Sequence, residues 1–292
     1  MIIDTHTHVR LPIEGYEGDG LNIYGVKGDS QHDYLKGFEQ NGIDACFVFP
    51  IEGFRQDSVI RAENEAMARF QAEYPDRIYG WATVNPSWPE KKLRAEIQYA
   101  ILKLKLAGLK FVNICQGVSL ANRGMDIVAD ESIRLNIPVF LHDGSPEYSS
   151  AIQTAYYSRK FPELRLVSGH GGLRELWPDL LDAVRELPNL HVCLSGPTQW
   201  GIQKLYDALG PEKLMFGSDG GLGHPAVTTA YLRRIRHLNA PESDKQLILG
   251  INATRFLRID RSRLNCGSEP NECATISHEQ LTKTPTIRGT IV

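Results

Sequence analysis

The sequence predicts a single α/β domain, a (β/α)8 barrel of the TIM type, followed by a C-terminal extension. Eight short apolar runs of five to seven residues recur along the chain, and each ends in polar or glycine residues. Runs of this kind, rich in Val, Ile, Leu and Phe, are typical of parallel strands buried on both faces. Longer segments with helical periodicity separate them. Eight such units favour a closed barrel over an open doubly wound sheet.

The first two predicted units differ in regularity. Strand one, Ile2–His6, leads into a stretch with five glycines between residues 15 and 28, and a helix near Gln31–Gln40 follows. Strand two, Ala45–Pro50, precedes the segment Asp57–Tyr74. Apolar residues at positions 59, 60, 62, 66, 67 and 70 of that segment share one helical face, and Pro75 ends the pattern.

The later units follow one rule. Strand three, Ile78–Val84, is followed by Pro89–Ala107, which begins with proline in its first turn and ends before a glycine. The next strands are Gly108–Ile114, Pro138–His142, Leu164–Gly169, Leu190–Ser195 and Lys213–Ser218, and their helices are Asn122–Leu135, Glu147–Phe161, Leu173–Leu187, Thr198–Leu209 and Pro225–Leu238.

The composition changes after a ninth predicted helix near Asp244–Arg258. Residues 259–292 contain no aromatic residue and are rich in Ser, Thr, Asn, Glu and Arg. We therefore divide the chain into a barrel of residues 1–258 and an extension of residues 259–292 outside the barrel. The extension is either an arm against a neighbouring subunit or a loosely ordered tail.

The overall composition excludes several classes of protein. The chain of 292 residues carries 32 Lys and Arg against 35 Asp and Glu, a net charge of −3, which argues against nucleic-acid binding. No apolar run is long enough for a membrane span, and the start MIIDTHTH lacks the features of a secretory signal. With five cysteines, an odd count, we expect a reduced protein of the cytoplasm and, by base rate, a homodimer.

Histidines concentrate where a barrel places its active site, at the carboxyl ends of the strands. Four of the nine histidines and one aspartate fall there: His6 and His8 after strand one, His142 after strand five, His170 after strand six and Asp219 after strand eight. A period of two lets both imidazoles of strand one reach one ion. Neutral imidazoles with one carboxylate suit zinc or another first-row divalent ion. The pattern predicts a metal centre at this rim.

Other polar residues near the same rim have two or more readings. Asp4 either orients a ligating histidine or is a structural carboxylate bonded to backbone. Lys110 on strand four is a ligand after carbamylation, a substrate contact or a plain interior residue. Arg10 and Arg55 follow strands one and two and are candidates for gripping a substrate carboxylate, and His224 is a candidate substrate contact in the loop after strand eight.

The motifs resemble the amidohydrolase superfamily, and within it the amidohydrolase-2 branch that contains aminocarboxymuconate-semialdehyde decarboxylase, related decarboxylases, and lactone and amide hydrolases. The resemblance covers roughly residues 2–258. It rests on Asp4-Thr5-His6-Thr7-His8, Tyr74-Pro75-Asp76-Arg77, Val84-Asn85-Pro86, Gly108-Leu109-Lys110, His142, Gly169-His170-Gly171-Gly172, Phe216-Gly217-Ser218-Asp219 and Asn252-Ala253-Thr254-Arg255-Phe256-Leu257. The glycine-rich insert Leu11–Ser30 and the tail after Arg258 depart from it.

The resemblance implies one divalent metal ion, zinc with manganese as the alternative, held by His6, His8, His142 and Asp219. His170 would act as acid/base with Asp219, or join the ligands if two ions bind. The leading hypothesis is a metal-dependent hydrolase acting on a small carboxylated or cyclic compound, a lactone or an amide. The alternative is a non-oxidative decarboxylase of a small aromatic or unsaturated acid, and a third hypothesis is a metal-binding scaffold without activity.

Overall fold

The computed structural model describes residues 1–21, 25–174, 176–222, 226–259 and 264, and these residues fold as a (β/α)8 barrel. Its parallel strands are β1 (Ile3–His8), β2 (Ala45–Phe49), β3 (Ile78–Gly80), β4 (Leu109–Phe111), β5 (Val139–Leu141), β6 (Leu166–Ser168), β7 (Leu190–Cys193) and β8 (Leu214–Met215). Each lies within or overlaps a predicted run, so the predicted fold class is confirmed.

Two ladders and two single bridges close the barrel. Strands β1 to β3 form one ladder and β4 to β8 the other. Ala82 pairs with Leu109 between β3 and β4, and Thr7 pairs with Gly220 between β1 and the end of β8. The backbone N–H of His8 donates to the Gly220 carbonyl at 2.8 Å. All eight carboxyl ends therefore meet at one rim.

The helices lie between the strands in chain order. They are α1 (Gln31–Gln40), α2 (Ile60–Glu73), α3 (Glu90–Gln98), α4 (Asn113–Gln116), α5 (Arg123–Leu135), α6 (Ala151–Lys160), α7 (Trp177–Glu186), α8 (Gln199–Leu209), α9 (Ala226–Arg236), α10 (Glu242–Gln246) and α11 (Asn252–Leu257). Side-chain caps set several starts, since Ser30, Asn122, Ser150 and Thr198 each accept a hydrogen bond from a backbone N–H in the first turn.

Several helices differ from the predicted bounds; the helix predicted as Glu147–Phe161, for example, is α6, Ala151–Lys160. The predicted helix Pro89–Ala107 is α3 followed by a π-helical turn at Tyr99–Lys103. The helix predicted from Leu173 begins only at Trp177, because Gly171, Gly172 and Leu173 adopt positive φ angles that no helix continues. The ninth predicted helix is α10 and α11 joined by a second π-helical segment at Leu247–Ile251.

Side chains fill the barrel interior, so the site can lie only at its rim. Four aromatic side chains pack against one another inside the barrel: Phe47, Phe49, Trp81 and Phe140. The same cluster takes in Phe256 of α11 and Leu264. Apart from Ile259 and Leu264, the predicted extension lies outside the described residues, and the division at residue 258 stays a prediction. None of the described helices combines the length and apolarity that crossing a membrane requires.

The turn after β2 is held by a buried carboxylate from α2. Glu63 accepts hydrogen bonds from the backbone N–H groups of Ile51 at 2.8 Å, Glu52 at 3.0 Å and Gly53 at 2.6 Å. Burial raises the pKa of Glu63 to about 6, and these three hydrogen bonds oppose the rise. The native state therefore binds the Glu63 proton more tightly than the unfolded chain does.

This difference in proton binding predicts a pH effect on stability. The stability that protonated Glu63 contributes is complete below the unfolded pKa of 4.5 and is lost as the pH rises through about 6. We expect the free energy of unfolding of the wild type, measured with urea, to fall by about 2 kcal/mol between pH 4 and pH 7 relative to that of Glu63→Gln, because glutamine does not titrate. If the free energy of unfolding of the wild type instead rose relative to that of the variant over this range, the pKa of Glu63 in the native state would lie below 4.5.

Candidate metal centre

Two histidines of β1 present the same nitrogen to one carboxylate. The Nδ1 atom of His6 lies 2.9 Å from the Gly169 carbonyl, and Nδ1 of His8 lies 3.0 Å from the Pro50 carbonyl. A carbonyl oxygen only accepts, so both Nδ1 atoms carry a proton, and in the neutral form of each ring the lone pair lies on Nε2. These Nε2 atoms lie 3.3 Å and 3.4 Å from Oδ1 of Asp219.

Asp219 completes the group from the loop after β8. Its backbone adopts a φ of 57°, an uncommon left-handed conformation for a residue other than glycine. Burial acts to raise the pKa of its carboxyl, whereas positive charge on His6 or His170 and a hydrogen bond from His8 act to lower it, and the net direction is well below the ordinary value. The carboxylate is therefore ionised at neutral pH.

The closest set of potential ligands includes a histidine from the loop after β6. One ligand atom each from His6, His170 and Asp219 lie within 4.8 Å of one another, and no other such group occurs among the described residues. His142 lies beside this set, with Nδ1 2.8 Å from Nε2 of His170. Nε2 of His142 is buried and has no hydrogen-bond partner.

A chain of hydrogen bonds behind the rim fixes which nitrogens are protonated. The Ser195 hydroxyl donates to the Gly169 carbonyl at 2.9 Å, so its oxygen accepts from Nδ1–H of His170 at 3.1 Å. Nε2 of His170 then accepts from Nδ1–H of His142. It follows that the unpartnered Nε2 of His142 also carries a lone pair.

Three imidazoles of the cluster, those of His6, His142 and His170, are neutral at neutral pH. Burial lowers the pKa of His6 and His142 well below the ordinary value, and the nearby charge of Lys110 lowers both further. Burial likewise lowers the pKa of His170 to about 4. Neutral imidazole is the form that binds a metal ion.

Lys110 lies inside the barrel directly beneath this cluster. Its Nζ is 3.3 Å from Nε2 of His6 and lies over the rings of Phe49 and Phe140 at 4.7 Å and 4.6 Å from their centroids. Burial lowers its pKa to about 8, while the charge of Asp219 acts in the opposite direction. Lys110 is thus an interior residue in contact with a candidate ligand.

Two buried aspartates hold the backbone around the cluster. Asp4 accepts hydrogen bonds from the backbone N–H of His6 and from the N–H and hydroxyl of Ser218, and these contacts match the structural reading of Asp4. Asp143 accepts from the N–H of His170 at 2.6 Å and of Gly172 at 2.7 Å. Sequence reasoning gave no role to Asp143, although it directly follows His142.

Two of the three residues expected to contact substrate, Arg10 and Arg55, lie around the insert after β1. Arg10 lines a cleft there. Arg55 is partly exposed and donates to Asp19 Oδ1 and to the Leu21 carbonyl, both at 2.7 Å, so its guanidinium is occupied by the insert. His224 lies outside the described residues.

The chemistry of the donor set fits a divalent cation. In the neutral form of both rings, the Nε2 lone pairs of His6 and His8 face the Asp219 carboxylate, and such an arrangement is stabilised by a positive ion. Imidazole nitrogens with one carboxylate oxygen are ligands that zinc and manganese accept. Carbonyl groups of Gly169 and Pro50 orient both rings, as outer partners do in metal sites.

The chain is similar to one protein family and to several solved structures. The profile of the amidohydrolase family matches residues 3–259. No curated protein sequence matches the chain. The crystal structure of 5-carboxyvanillate decarboxylase from Sphingomonas paucimobilis is 19% identical with a TM-score of 0.68, covering 89% of this chain and 99% of that one.

Two further solved structures share the fold. A 5-carboxyvanillate decarboxylase variant from Novosphingobium aromaticivorans, with bound manganese and a nitrobenzoic acid, is 16% identical with a TM-score of 0.61, covering 77% of this chain and 80% of that one. A probable 2-pyrone-4,6-dicarboxylic acid hydrolase from Acinetobacter baumannii, with citric acid bound, is 18% identical with a TM-score of 0.62, covering 88% and 99%. The same barrel therefore serves decarboxylases and, by its description, a hydrolase.

Proposed function

This chain belongs to the amidohydrolase family, and on that premise we propose that it is a metal-dependent hydrolase of a small carboxylated or cyclic substrate, a lactone or an amide. The observation that carries the proposal is that the Nε2 atoms of His6 and His8 lie 3.3 Å and 3.4 Å from the same oxygen, Oδ1 of Asp219. Neutral His170 stands next to this pair, within 4.8 Å of His6 and Asp219.

The proposal assigns His6, His8, His142 and Asp219 as ligands of one divalent ion, zinc or alternatively manganese. The unpartnered Nε2 of His142 supports its place in this set. When bound, such an ion lowers the pKa of a water toward 7 and polarises a carbonyl. The manganese in the Novosphingobium decarboxylase supports a divalent ion in this fold.

The chain's own groups move the proton. Asp219, ionised at neutral pH, is the group that accepts a proton from the attacking water. His170, with a ligand atom within 4.8 Å of Asp219, would pass the proton on to the leaving group, and this requires that its Nε2 first lose the hydrogen bond that His142 donates. Ser195 and Asp143 hold the ring and the backbone of His170 in place, so the ring needs no reorientation during transfer.

The alternative is a non-oxidative decarboxylase, and two observations favour keeping it. Two of the three solved structures described above are 5-carboxyvanillate decarboxylases. The ammonium of Lys110, 3.3 Å from His6, adds a positive charge beside the site where a substrate carboxylate would bind. In this reaction Asp219 or His170 would supply a proton to the carbon that loses CO2.

One experiment separates the two reactions. Protein loaded with zinc or manganese is incubated with lactones, amides and aromatic acids, once in 18O-labelled water and once in D2O. Hydrolysis places one 18O atom in the product acid, whereas decarboxylation releases CO2 and places deuterium on carbon. Protein stripped of metal by a chelator is the control. If metal-loaded protein turns over none of these classes, both reactions are contradicted and the scaffold hypothesis gains.

A further inference from the structure

A cleft of about 500 Å³ lies between the insert after β1, the start of α1 and the turn after β2. Of the described residues that line it, none is a histidine or an aspartate of the metal centre, so the cleft is a separate site. Its charged lining residues are Arg10, Glu17 and Glu52. Its volume lies in the range of small-molecule sites.

One wall of the cleft offers hydrogen-bond donors. Arg10 pairs through its backbone with Ser30, the residue that caps α1, so the arginine and the first turn of this helix are neighbours. The Nε atom of Arg10 is buried without a hydrogen-bond partner, and the side chain forms no ion pair with any residue that the structure describes. Gln31 and His32 line the cleft beside it, and their backbone N–H groups, the first two of α1, have no acceptor within the helix. This wall suits a carboxylate.

The insert and the turn after β2 offer acceptors to the same cleft. Glu52 is 5% exposed, and its carboxylate accepts from the Gly20 N–H at 2.8 Å and from the Tyr16 hydroxyl at 3.2 Å. Neither donor carries a positive charge, and the nearby guanidinium of Arg55 is paired with Asp19. A buried carboxylate without a cation is costly, so a ligand that brings a positive charge to it gains binding energy.

Gly20 lies between the two charged side chains. A Cβ at Gly20 would lie 2.2 Å from Cδ of Arg10, and the Gly20 N–H is the donor to Glu52. The cleft therefore presents a cation and an anion close together, on either side of one glycine, that do not neutralise each other. Residues 11–13, which are Leu, Pro and Ile, add an apolar lining.

We propose that this cleft is a second ligand site and that it binds a zwitterion with an apolar side chain, an α-amino acid. The carboxylate of the amino acid binds Arg10 and the first N–H groups of α1. Its ammonium donates to Glu52 and Glu17, and its side chain contacts Leu11 and Ile13. An α-amino acid fits because its two charges are as close together as those of the cleft. The inference is independent of the proposed function, since it involves neither the metal nor turnover.

Calorimetric titration of the full chain with L-leucine tests this site. The protein is first stripped of metal, because an amino acid also chelates divalent ions. Two probes that each lack one charge are compared with leucine: 4-methylpentanoate lacks the ammonium, and L-leucinamide lacks the carboxylate. At about pH 6, where the amine of leucinamide stays protonated, the wild type should bind leucine at least about 10-fold more tightly than either probe.

Two variants should affect different probes. Arg10→Gln should bind leucine and 4-methylpentanoate about 10-fold to 100-fold more weakly and leucinamide as the wild type does. Glu52→Gln should weaken leucine and leucinamide by a similar factor and leave 4-methylpentanoate unchanged. Lys27→Gln and Glu14→Gln remove the same charges from exposed positions of the insert outside the cleft, and both should bind all three ligands as the wild type does.

The pattern across the three ligands distinguishes recognition from a structural role. If the wild type bound leucine no more tightly than the singly charged probes, or if a variant weakened all three ligands equally, the proposal would be overturned. Should circular dichroism show one variant to be misfolded, the other variant and the wild-type comparison still decide. The expected pattern in a protein that turns over no lactone, amide or aromatic acid would support the site and contradict the proposed function alone.

Discussion

Asp219→Asn should lose most of its bound metal and at least about 10³-fold of any metal-dependent turnover, because the ligand set loses its only negative charge and the ion supplies several kcal/mol to the transition state. Asparagine adopts left-handed backbone as readily as aspartate, so the φ of 57° is retained and the fold is spared. Elemental analysis of protein purified without a metal-affinity step, beside the wild type, measures the loss directly.

The chain offers a matched control for this substitution. Asp76 also has a positive φ, 64°, and lies in the turn before β3, at the opposite end of the barrel from the site. Asp76→Asn changes the same charge at the same kind of backbone and should keep the wild-type metal content. If Asp219→Asn kept its full metal content as well, the assignment of Asp219 as a ligand would be wrong.

Trp81→Ala should lower the free energy of unfolding by about 3–5 kcal/mol, a large share of the stability of a typical domain. The indole is fully buried inside the barrel, with ring centroids 5.6 Å from Phe47, 5.5 Å from Phe49 and 5.7 Å from Phe140. Alanine leaves a cavity that these rings cannot fill, since the surrounding strands fix their positions. Urea unfolding followed by circular dichroism gives the difference.

Trp81→Phe separates packing from hydrogen bonding at the same position. The indole Nε1 is buried without a partner, so phenylalanine removes an unsatisfied donor while it keeps most of the ring. The cost of this change should stay below about 1.5 kcal/mol. Equal costs for alanine and phenylalanine would show that the ring contributes little through packing.

The sequence predicted the eight strands because most of them are short, largely apolar runs buried on both faces, although β1 and β4 also carry polar side chains. The apolar runs overestimated the length of most strands. Strand three was predicted as Ile78–Val84, but its regular pairing with a neighbouring strand ends at Gly80. Residues beyond that point leave the ladder to bridge individually, as Ala82 does with Leu109. Apolarity reports burial, whereas strand bounds depend on pairing with neighbours that a single run does not contain.

Some features of the candidate site were also predictable from the sequence, and others were not. Strand periodicity was enough to place His6 and His8 on one face, and chain position brought His170 and Asp219 to the same rim. The partners of these residues were not predictable, because Ser195 reaches His6 across 189 residues and carries no pattern of its own. The cleft that Arg10 lines was equally unpredictable, because residues of the insert, the start of α1 and Glu52 come together there only in the folded chain.

The hydrogen-bond chain that runs from His142 through His170 and Ser195 ends on the carbonyl of Gly169. A peptide oxygen has no proton to give and is too weak a base to keep one. This series of hydrogen bonds can therefore polarise the imidazole rings, but it cannot carry a proton out of the barrel. Every proton exchanged during turnover has to enter and leave through the open rim, on the side of the substrate.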